Sequence, residues 1–234
     1  IITPLLFIYS MIRYFTVSTN VQGKIDLNNV HVLITGGSKG IGKAIAVDLA
    51  RQGASITIAA RKESFLLSAC EEIRNGAIIH ANQKIEYKVL DVTEDISTIR
   101  EKISEVIKTS GAIDILINCA GYAEAKKFER MPMTKFQNII ESNLMGTIKL
   151  TKSVIEGMME RRFGQIVFLS SICGQFGFYG YSAYTASKCA IRGMADCLSM
   201  ELNFHNIGLT IVYPPDTDTE GFNIENSDKP TVTK

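Results

Sequence analysis

The 234-residue sequence lacks an excess of charge of either sign, because its 25 basic side chains almost balance its 24 acidic ones. It also lacks a basic stretch with interleaved aromatic residues, so its charge pattern excludes an obvious nucleic-acid surface. Internal repeats and low-complexity tracts are missing too. With 46% hydrophobic and 21% charged residues, the composition is too apolar for a disordered chain and is ordinary for a globular enzyme. The length is sufficient for one α/β domain and short for two.

Cysteine and histidine are too few and too scattered to indicate a metal site. The five cysteines are odd in number and include no CxxC pair, and the three histidines lie far apart along the chain. A disulfide framework needs paired cysteines, and a zinc site needs clustered ligands. We therefore predict reduced cysteines, an intracellular compartment and no metal.

A hydrophobic run long enough to cross a membrane is also missing. The apolar segment at residues 1–15 is shorter than the roughly 20 residues that a membrane-spanning helix needs. It fits the end of a membrane anchor, a signal-peptide remnant or an apolar arm packed on the domain. The border of Arg13, Tyr14 and Phe15 favours the anchor, because such residues prefer the membrane interface.

Residues 16–29 are polar and predict a linker, and from residue 30 short β-branched runs alternate with helical patterns. The predicted strands begin at His31, Ser55, Ile85, Ile113, Gln165 and Leu209. Near-continuous apolar strands separated by helices predict a parallel sheet covered on both faces, which is a doubly wound, Rossmann-type α/β domain. A further helix and strand usually follow the sixth strand, so we expect residues 30–234 to form a domain truncated at its C-terminal end.

A glycine-rich turn, TGGSKGIG at residues 35–42, connects the first strand to a helix. Glycines let the backbone approach a pyrophosphate, which the positive end of the helix stabilises. A glycine cluster alone is a weak signal, and its position between strand and helix makes dinucleotide binding the better interpretation. The residues that we expect to contact the cofactor here are Gly36, Ser38, Lys39, Gly40, Ile41 and Gly42.

The end of the second strand indicates which dinucleotide binds. An NAD site usually presents an acidic residue there to the ribose 2′-hydroxyl, whereas this chain has Ala60 followed by Arg61. A guanidinium can pair with a 2′-phosphate through two hydrogen bonds, and Lys39 adds a second positive charge. Solvated surface charges are the alternative explanation. We predict NADPH as the cofactor.

A candidate catalytic group follows the fifth strand. Tyr184 and Lys188 are four residues apart, which places both on one face of a helix, and Ser171 lies at the end of the strand. We expect the lysine ammonium to lower the pKa of Tyr184, so that the tyrosine can protonate an alkoxide while hydride arrives from the nicotinamide. Asn143, within a helical pattern, is a candidate to hold a water in a proton relay, with a capping or surface role as the alternative.

These motifs together, with Asn118-Cys-Ala-Gly121, resemble the short-chain dehydrogenase/reductases in order and spacing over roughly residues 30 to 220. The resemblance implies an Asn143-Ser171-Tyr184-Lys188 tetrad with Tyr184 as acid and base. It also implies that Tyr184 and Lys188 bind the nicotinamide ribose, that Asp91 lies near the adenine and that Asn118 braces the central strands. Pro214 and Thr217, after the sixth strand, are expected near the nicotinamide.

The sequence YPPDTDT at 213–219, followed by GF, departs from the PG that this family usually carries after its sixth strand. Because Pro215 lacks both an N–H group and the flexibility of glycine, contacts there must differ in detail. The motif resembles that of the 3-ketodihydrosphingosine reductases, a group within the family. That resemblance implies a long-chain lipid ketone substrate and an endoplasmic-reticulum membrane location with the catalytic domain facing the cytosol. Attachment would use the N-terminal segment and the missing C-terminal part.

Several alternatives stay open at this point. The substrate can instead be a steroid, a retinoid or a 3-oxoacyl ketone, and the chain can be a non-catalytic NADPH-binding protein or an inactive fragment. Phe176, Phe178, Tyr179 and Tyr181 lie between Ser171 and Tyr184, where they either line an apolar channel or serve in packing. Helices of this fold often pair, so a homo-oligomer is an expectation as well.

Overall fold

The computed structural model describes residues 26–229. The predicted apolar segment at 1–15, most of the linker at 16–29 and residues 230–234 of the predicted domain lie outside the described residues. Leu27 is 8% exposed and packs with Val30 in the core, so the folded domain extends before residue 30.

Six parallel strands form one sheet in the order β3-β2-β1-β4-β5-β6. The doubly wound α/β prediction is confirmed, and the predicted strands agree with those observed to within two residues at each end. The strands are β1 His31–Thr35, β2 Ser55–Ala60, β3 Ile85–Val89, β4 Ile115–Asn118, β5 Gly164–Leu169 and β6 Ile207–Val212.

Seven α-helices connect or follow these strands within the described part of the chain. They are α1 Gly40–Arg51, α2 Glu63–Ala77, α3 Ile96–Ser110, α4 Met133–Ile140, α5 Gly146–Arg161, α6 Ser182–Asn203 and α7 Glu220–Asp228. A π-helical turn, Glu141–Met145, joins α4 directly to α5. Short 3₁₀ turns occupy Phe128–Arg130 and Ile172–Gly174.

The core lies on both faces of the sheet, because successive side chains of a strand point in opposite directions. Val32 and Ile34 of β1 pack with apolar residues of α1 and α2, whereas Leu33 packs on the opposite face with residues of α3, α5 and α6. This two-sided burial explains why the strands are almost continuously hydrophobic.

The strand order reverses between β1 and β4, so the connections from these two strands leave in opposite directions and open a cleft at their carboxyl ends. Thr35, the last residue of β1, ties the two strands together there. Its hydroxyl oxygen accepts hydrogen bonds from the backbone N–H groups of Cys119 and Ala120, both at 3.2 Å.

Neither a membrane-crossing helix nor a cluster of metal-ligating side chains is present within residues 26–229. No helix in this range has the length and apolar character needed to cross a bilayer. In the same range, no group of three histidine, cysteine, aspartate or glutamate residues is arranged to hold a metal ion.

Candidate active site

The glycine turn is built so tightly that side chains would not fit at two of its positions. Gly36 has a φ of 69°, and its N–H donates to the Ala59 carbonyl of β2 at 2.8 Å. A Cβ at Gly42 would lie 2.5 Å from the Gly36 carbonyl oxygen, and one at Gly36 would lie 3.0 Å from the Ala120 backbone. The turn therefore brings bare backbone to the start of α1, where unpaired N–H groups can receive a phosphate.

The other predicted residues of this turn, Ser38, Lys39, Gly40 and Ile41, are all half-buried. The Lys39 ammonium lies 3.6 Å from the centroid of the Phe65 ring and 2.6 Å from a carboxylate oxygen of Glu220 in α7. The structure thus brings Lys39 to the predicted phosphate site and also gives it a carboxylate partner, which the sequence did not predict.

Arg61 and Asp91 both follow strands at the cleft edge of the sheet. Arg61 is exposed directly after β2, beside the strand end that accepts the Gly36 N–H, and it forms no ion pair within residues 26–229. Asp91 follows β3, and its Oδ1 accepts hydrogen bonds from the backbone N–H and the hydroxyl of Thr93 at 2.9 and 2.8 Å. Because Arg61 is exposed and has no ion pair in this range, its guanidinium is available to a ligand.

The remaining predicted cofactor residues lie at the ends of β4 and β6. Asn118 is buried at the end of β4, where its Nδ2 donates to the Thr151 hydroxyl of α5 at 3.3 Å. This contact joins β4 to α5 rather than to a neighbouring strand, so the predicted bracing of the central strands by Asn118 stays a prediction. Pro214 and Thr217 follow β6, and the Thr217 hydroxyl donates to the Pro215 carbonyl at 2.8 Å, which fixes the turn locally.

Ser171, Tyr184 and Lys188 come together at the carboxyl end of β5. The Ser171 hydroxyl hydrogen-bonds with the Tyr184 phenol and also accepts the Cys173 N–H at 3.2 Å. The Lys188 ammonium donates to the Leu169 carbonyl at 2.6 Å and lies 5.5 Å from the centroid of the Tyr184 ring. One strand end and one helix face therefore hold the three predicted catalytic side chains.

Burial controls the protonation of this group. It raises the pKa of Tyr184 to about 12, although the hydrogen bond with Ser171 acts in the opposite direction. It also lowers the pKa of Lys188 to about 8. The expected net lowering of the Tyr184 pKa is wrong for this structure, because removal from water is the larger effect. At neutral pH the phenol keeps its proton, as a proton donor must.

Asn143 is completely buried inside the π-helical turn, a local widening that is frequent at functional sites. Its Oδ1 accepts the Tyr122 N–H at 3.0 Å, and its Nδ2 donates to the Tyr122 carbonyl at 2.9 Å and to the Ser187 hydroxyl at 3.2 Å. Both amide N–H groups therefore serve protein partners. The relay role of Asn143 stays a prediction, and the surface alternative is wrong because the side chain is buried.

Two residues that the sequence analysis did not single out connect the site. Ser187 donates to the Tyr184 carbonyl at 2.7 Å and accepts from Asn143, so it links the π-helical turn to α6. Its position between Tyr184 and Lys188 in the sequence could have identified it as a residue of the site. Glu225 of α7 accepts a hydrogen bond from Tyr181 at 2.5 Å, and no sequence spacing indicated that contact.

The aromatic residues between Ser171 and Tyr184 separate into two groups. Phe176, Phe178 and Tyr179 are exposed, so within the described structure they do not enclose a channel. Tyr181 is 6% exposed, and its ring lies 6.3 Å from that of Tyr184 in an edge-on arrangement. Of these four aromatic residues, Tyr181 alone is buried beside Tyr184.

Comparison with known proteins fits this geometry. Residues 30–230 match the short chain dehydrogenase family. The chain belongs to that family. This short chain dehydrogenase is 44% identical over 210 residues to the 3-dehydrosphinganine reductase of Danio rerio. It is 43% and 42% identical over the same length to the 3-ketodihydrosphingosine reductases of Bos taurus and Mus musculus.

Each of these three alignments covers 90% of this short chain dehydrogenase and 63% of the relative. The chain therefore spans less than two thirds of the length of these curated relatives. Among solved structures, a short-chain dehydrogenase from Streptomyces avermitilis has a TM-score of 0.74 and 30% identity, covering 82% of this chain and 68% of that one. An NAD+-bound xylitol dehydrogenase has a TM-score of 0.75 and 27% identity, covering 80% and 70%.

Proposed function

We propose that this protein reduces 3-ketodihydrosphingosine to dihydrosphingosine with NADPH, a step of sphingolipid synthesis. The observation that carries the proposal is the contact of Ser171, Tyr184 and Lys188 at the carboxyl end of β5, beside a glycine turn suited to a dinucleotide. The names of the three relatives support the choice of substrate.

The residues of the cleft fit a nicotinamide dinucleotide. Gly36 and Gly42 lie so close to neighbouring backbone that a Cβ at either would clash, so the turn presents bare backbone directly before α1. The exposed Arg61 supports NADPH over NADH, because a guanidinium pairs well with a 2′-phosphate and cannot accept a hydrogen bond from a 2′-hydroxyl. When bound, a reduced nicotinamide supplies the hydride.

The chain's own residues orient the ketone and supply the proton. The Ser171 hydroxyl holds the ketone oxygen, and the Tyr184 phenol donates its proton to that oxygen as negative charge develops on it. The Lys188 ammonium, 5.5 Å from the ring centroid, stabilises the phenolate that remains. Ser187 and Asn143 position the catalytic helix through buried hydrogen bonds.

The proposed location is the endoplasmic-reticulum membrane, with the catalytic domain facing the cytosol. A long-chain amino ketone resides in a membrane, and NADPH is available on the cytosolic side. Attachment would use the apolar segment at residues 1–15, which lies outside the described residues.

The test is NADPH oxidation by the purified full-length protein in detergent, with 3-ketodihydrosphingosine beside steroid, retinoid and 3-oxoacyl ketones. We expect selective turnover of the amino ketone, with NADPH preferred over NADH. In the variant Arg61→Asp, we expect the affinity for NADPH to fall about 10- to 100-fold more than the affinity for NADH. This is the typical loss when a charged partner of a phosphate is removed.

Each other outcome contradicts a defined part of the proposal. Turnover of a different ketone alone would reject the substrate and keep the reductase chemistry. Equal losses of NADPH and NADH in Arg61→Asp would reject the phosphate role of Arg61. Tight NADPH binding without turnover of any ketone would favour a non-catalytic binding protein.

A further inference from the structure

A carboxylate of α7 is hydrogen-bonded to Tyr181, the residue one helical turn before Tyr184. Glu225, in α7, accepts a hydrogen bond through its Oε1 from the Tyr181 hydroxyl at 2.5 Å. Tyr181 precedes Tyr184 by three residues, and the two rings are in edge-on contact at 6.3 Å. The negative charge of Glu225 raises the pKa of both tyrosines, although burial is the larger cause for each. The carboxylate therefore acts electrostatically on the catalytic end of the cleft.

The hydrogen bonding of Glu225 is incomplete for a carboxylate removed from water. Its side chain is 18% exposed, and its ion pair with Lys229 is long, at 3.6 Å between Nζ and Oε1. Among the side chains that the structure describes, which do not include those of residues 224, 227 and 228, none donates a hydrogen bond to its second oxygen, Oε2. A largely buried carboxylate is stabilised most by a close cation that also donates hydrogen bonds. Glu225 therefore has an acceptor position available to a cationic ligand.

The substrate of the proposed reaction carries a cation of that kind. An amino ketone of this class has a primary amine on the carbon beside the ketone, and the amine is protonated when a carboxylate stabilises its charge. With the ketone oxygen held by Ser171 and Tyr184, the amine must lie within the same end of the cleft. Steroid, retinoid and 3-oxoacyl ketones have no such group.

We propose that Glu225 binds the substrate ammonium and thereby selects amino ketones over neutral ketones. This inference rests on the proposed function, since it assigns the substrate's amine to a residue of the same site. The Tyr181 hydroxyl occupies one oxygen of the carboxylate, and Lys229 neutralises the carboxylate charge until the ligand arrives. A purely structural role, in which Glu225 only holds α7 against α6, predicts different kinetics.

The test compares two ketones of equal chain length, 3-ketodihydrosphingosine and the analogue with hydrogen in place of the amine. The full-length wild-type protein is measured beside Glu225→Gln, which keeps the size and loses the charge. We expect the ratio of kcat/KM for the amino ketone to that for the deaminated ketone to fall about 10- to 100-fold in Glu225→Gln, the usual range for a charge-assisted contact. Equal losses on both ketones would assign Glu225 a structural role and overturn the inference.

Tyr181→Phe is the matched control, because it removes the hydrogen bond to the carboxylate and keeps the charge. We expect its ratio to change by less than about threefold, since the ammonium contact is the stronger one. A fall as large as that of Glu225→Gln would assign selectivity to the position of α7 rather than to the charge.

Equilibrium binding of a saturated long-chain amine and the alcohol of equal length, with NADPH present, separates this inference from the proposed function. If the wild type reduces neither ketone, the proposed function fails. A preference for the amine that Glu225→Gln abolishes would then still support the ammonium site, and equal binding of amine and alcohol to the wild type would overturn it.

Discussion

The two ends of the cleft use different parts of the chain, backbone at the dinucleotide end and buried side chains at the catalytic end. At the dinucleotide end, the turn at 36–42 presents backbone, and its fit depends on the absence of side-chain atoms at Gly36 and Gly42. At the catalytic end, the working groups are side chains removed from water, with Lys188 only 6% exposed. The first end thus tolerates no added atoms, whereas the second carries the cost of buried polar and charged groups. We therefore expect mutations at the two ends to have different effects on stability, NADPH binding and activity.

The largest effect is expected for Tyr184→Phe, at the catalytic end. Loss of the phenolic proton donor should lower kcat by about 10² to 10⁴, the usual contribution of a general acid. NADPH affinity should change by less than about tenfold, because the glycine turn is untouched. Steady-state kinetics and fluorescence titration of NADPH check the two halves of this prediction. Retained turnover would remove Tyr184 from the proton-transfer step.

A stability gain is expected for Lys188→Met, together with loss of activity. Burial lowers the pKa of Lys188 from 10.5 to about 8, so keeping it charged costs the folded protein free energy. Removing the charge should raise the free energy of unfolding near neutral pH by about 1 to 3 kcal/mol. The lost hydrogen bond to Leu169 offsets part of the gain.

The pH dependence gives this prediction a defined sign. Below the folded pKa of about 8, both folded and unfolded chains bind the proton, and the wild type bears the full cost. Between about 8 and 10.5 the unfolded chain binds more protons, so wild-type stability rises with pH and the advantage of Lys188→Met shrinks. Urea denaturation of the wild type and Lys188→Met at pH values across this interval checks the predicted difference in stability. Lys152→Met, at an exposed position of α5, should change stability by less than about 0.5 kcal/mol.

At the dinucleotide end, a smaller effect is expected from Gly42→Ala, which should lower both stability and NADPH affinity. The new Cβ would meet the Gly36 carbonyl at 2.5 Å, and backbone cannot move aside as a side chain can. Unfolding free energy should fall by about 1 to 3 kcal/mol, with weaker NADPH binding. The control is Gly76→Ala in α2, where a Cβ meets nothing within 4 Å and should stabilise by about 0.4 to 1 kcal/mol. Unchanged NADPH affinity in Gly42→Ala would show that the turn does not hold the cofactor.

The two ends also differ in how far the sequence predicted them. The glycine turn and the Tyr184–Lys188 pair are local patterns, so their spacing alone places them at a strand-to-helix junction and on one helix face. The rise in the pKa of Tyr184 was not predictable from that spacing, because it depends on how completely packing removes the phenol from water. Likewise, Glu220 meets Lys39 across 181 residues, and Glu225 meets Tyr181 across 44, so only the fold brings them together.

The short helix α7 touches both ends of the cleft. Glu220 pairs with Lys39, and the Thr219 side chain would lie 3.3 Å from a Cβ at Gly40. Five residues further along, Glu225 meets Tyr181 beside the catalytic tyrosine. A dinucleotide phosphate that takes Lys39 from Glu220 and an ammonium that binds Glu225 would act on the same nine-residue element. We therefore expect their binding free energies to be coupled, in which case reciprocity requires each ligand to change the affinity of the other by the same factor.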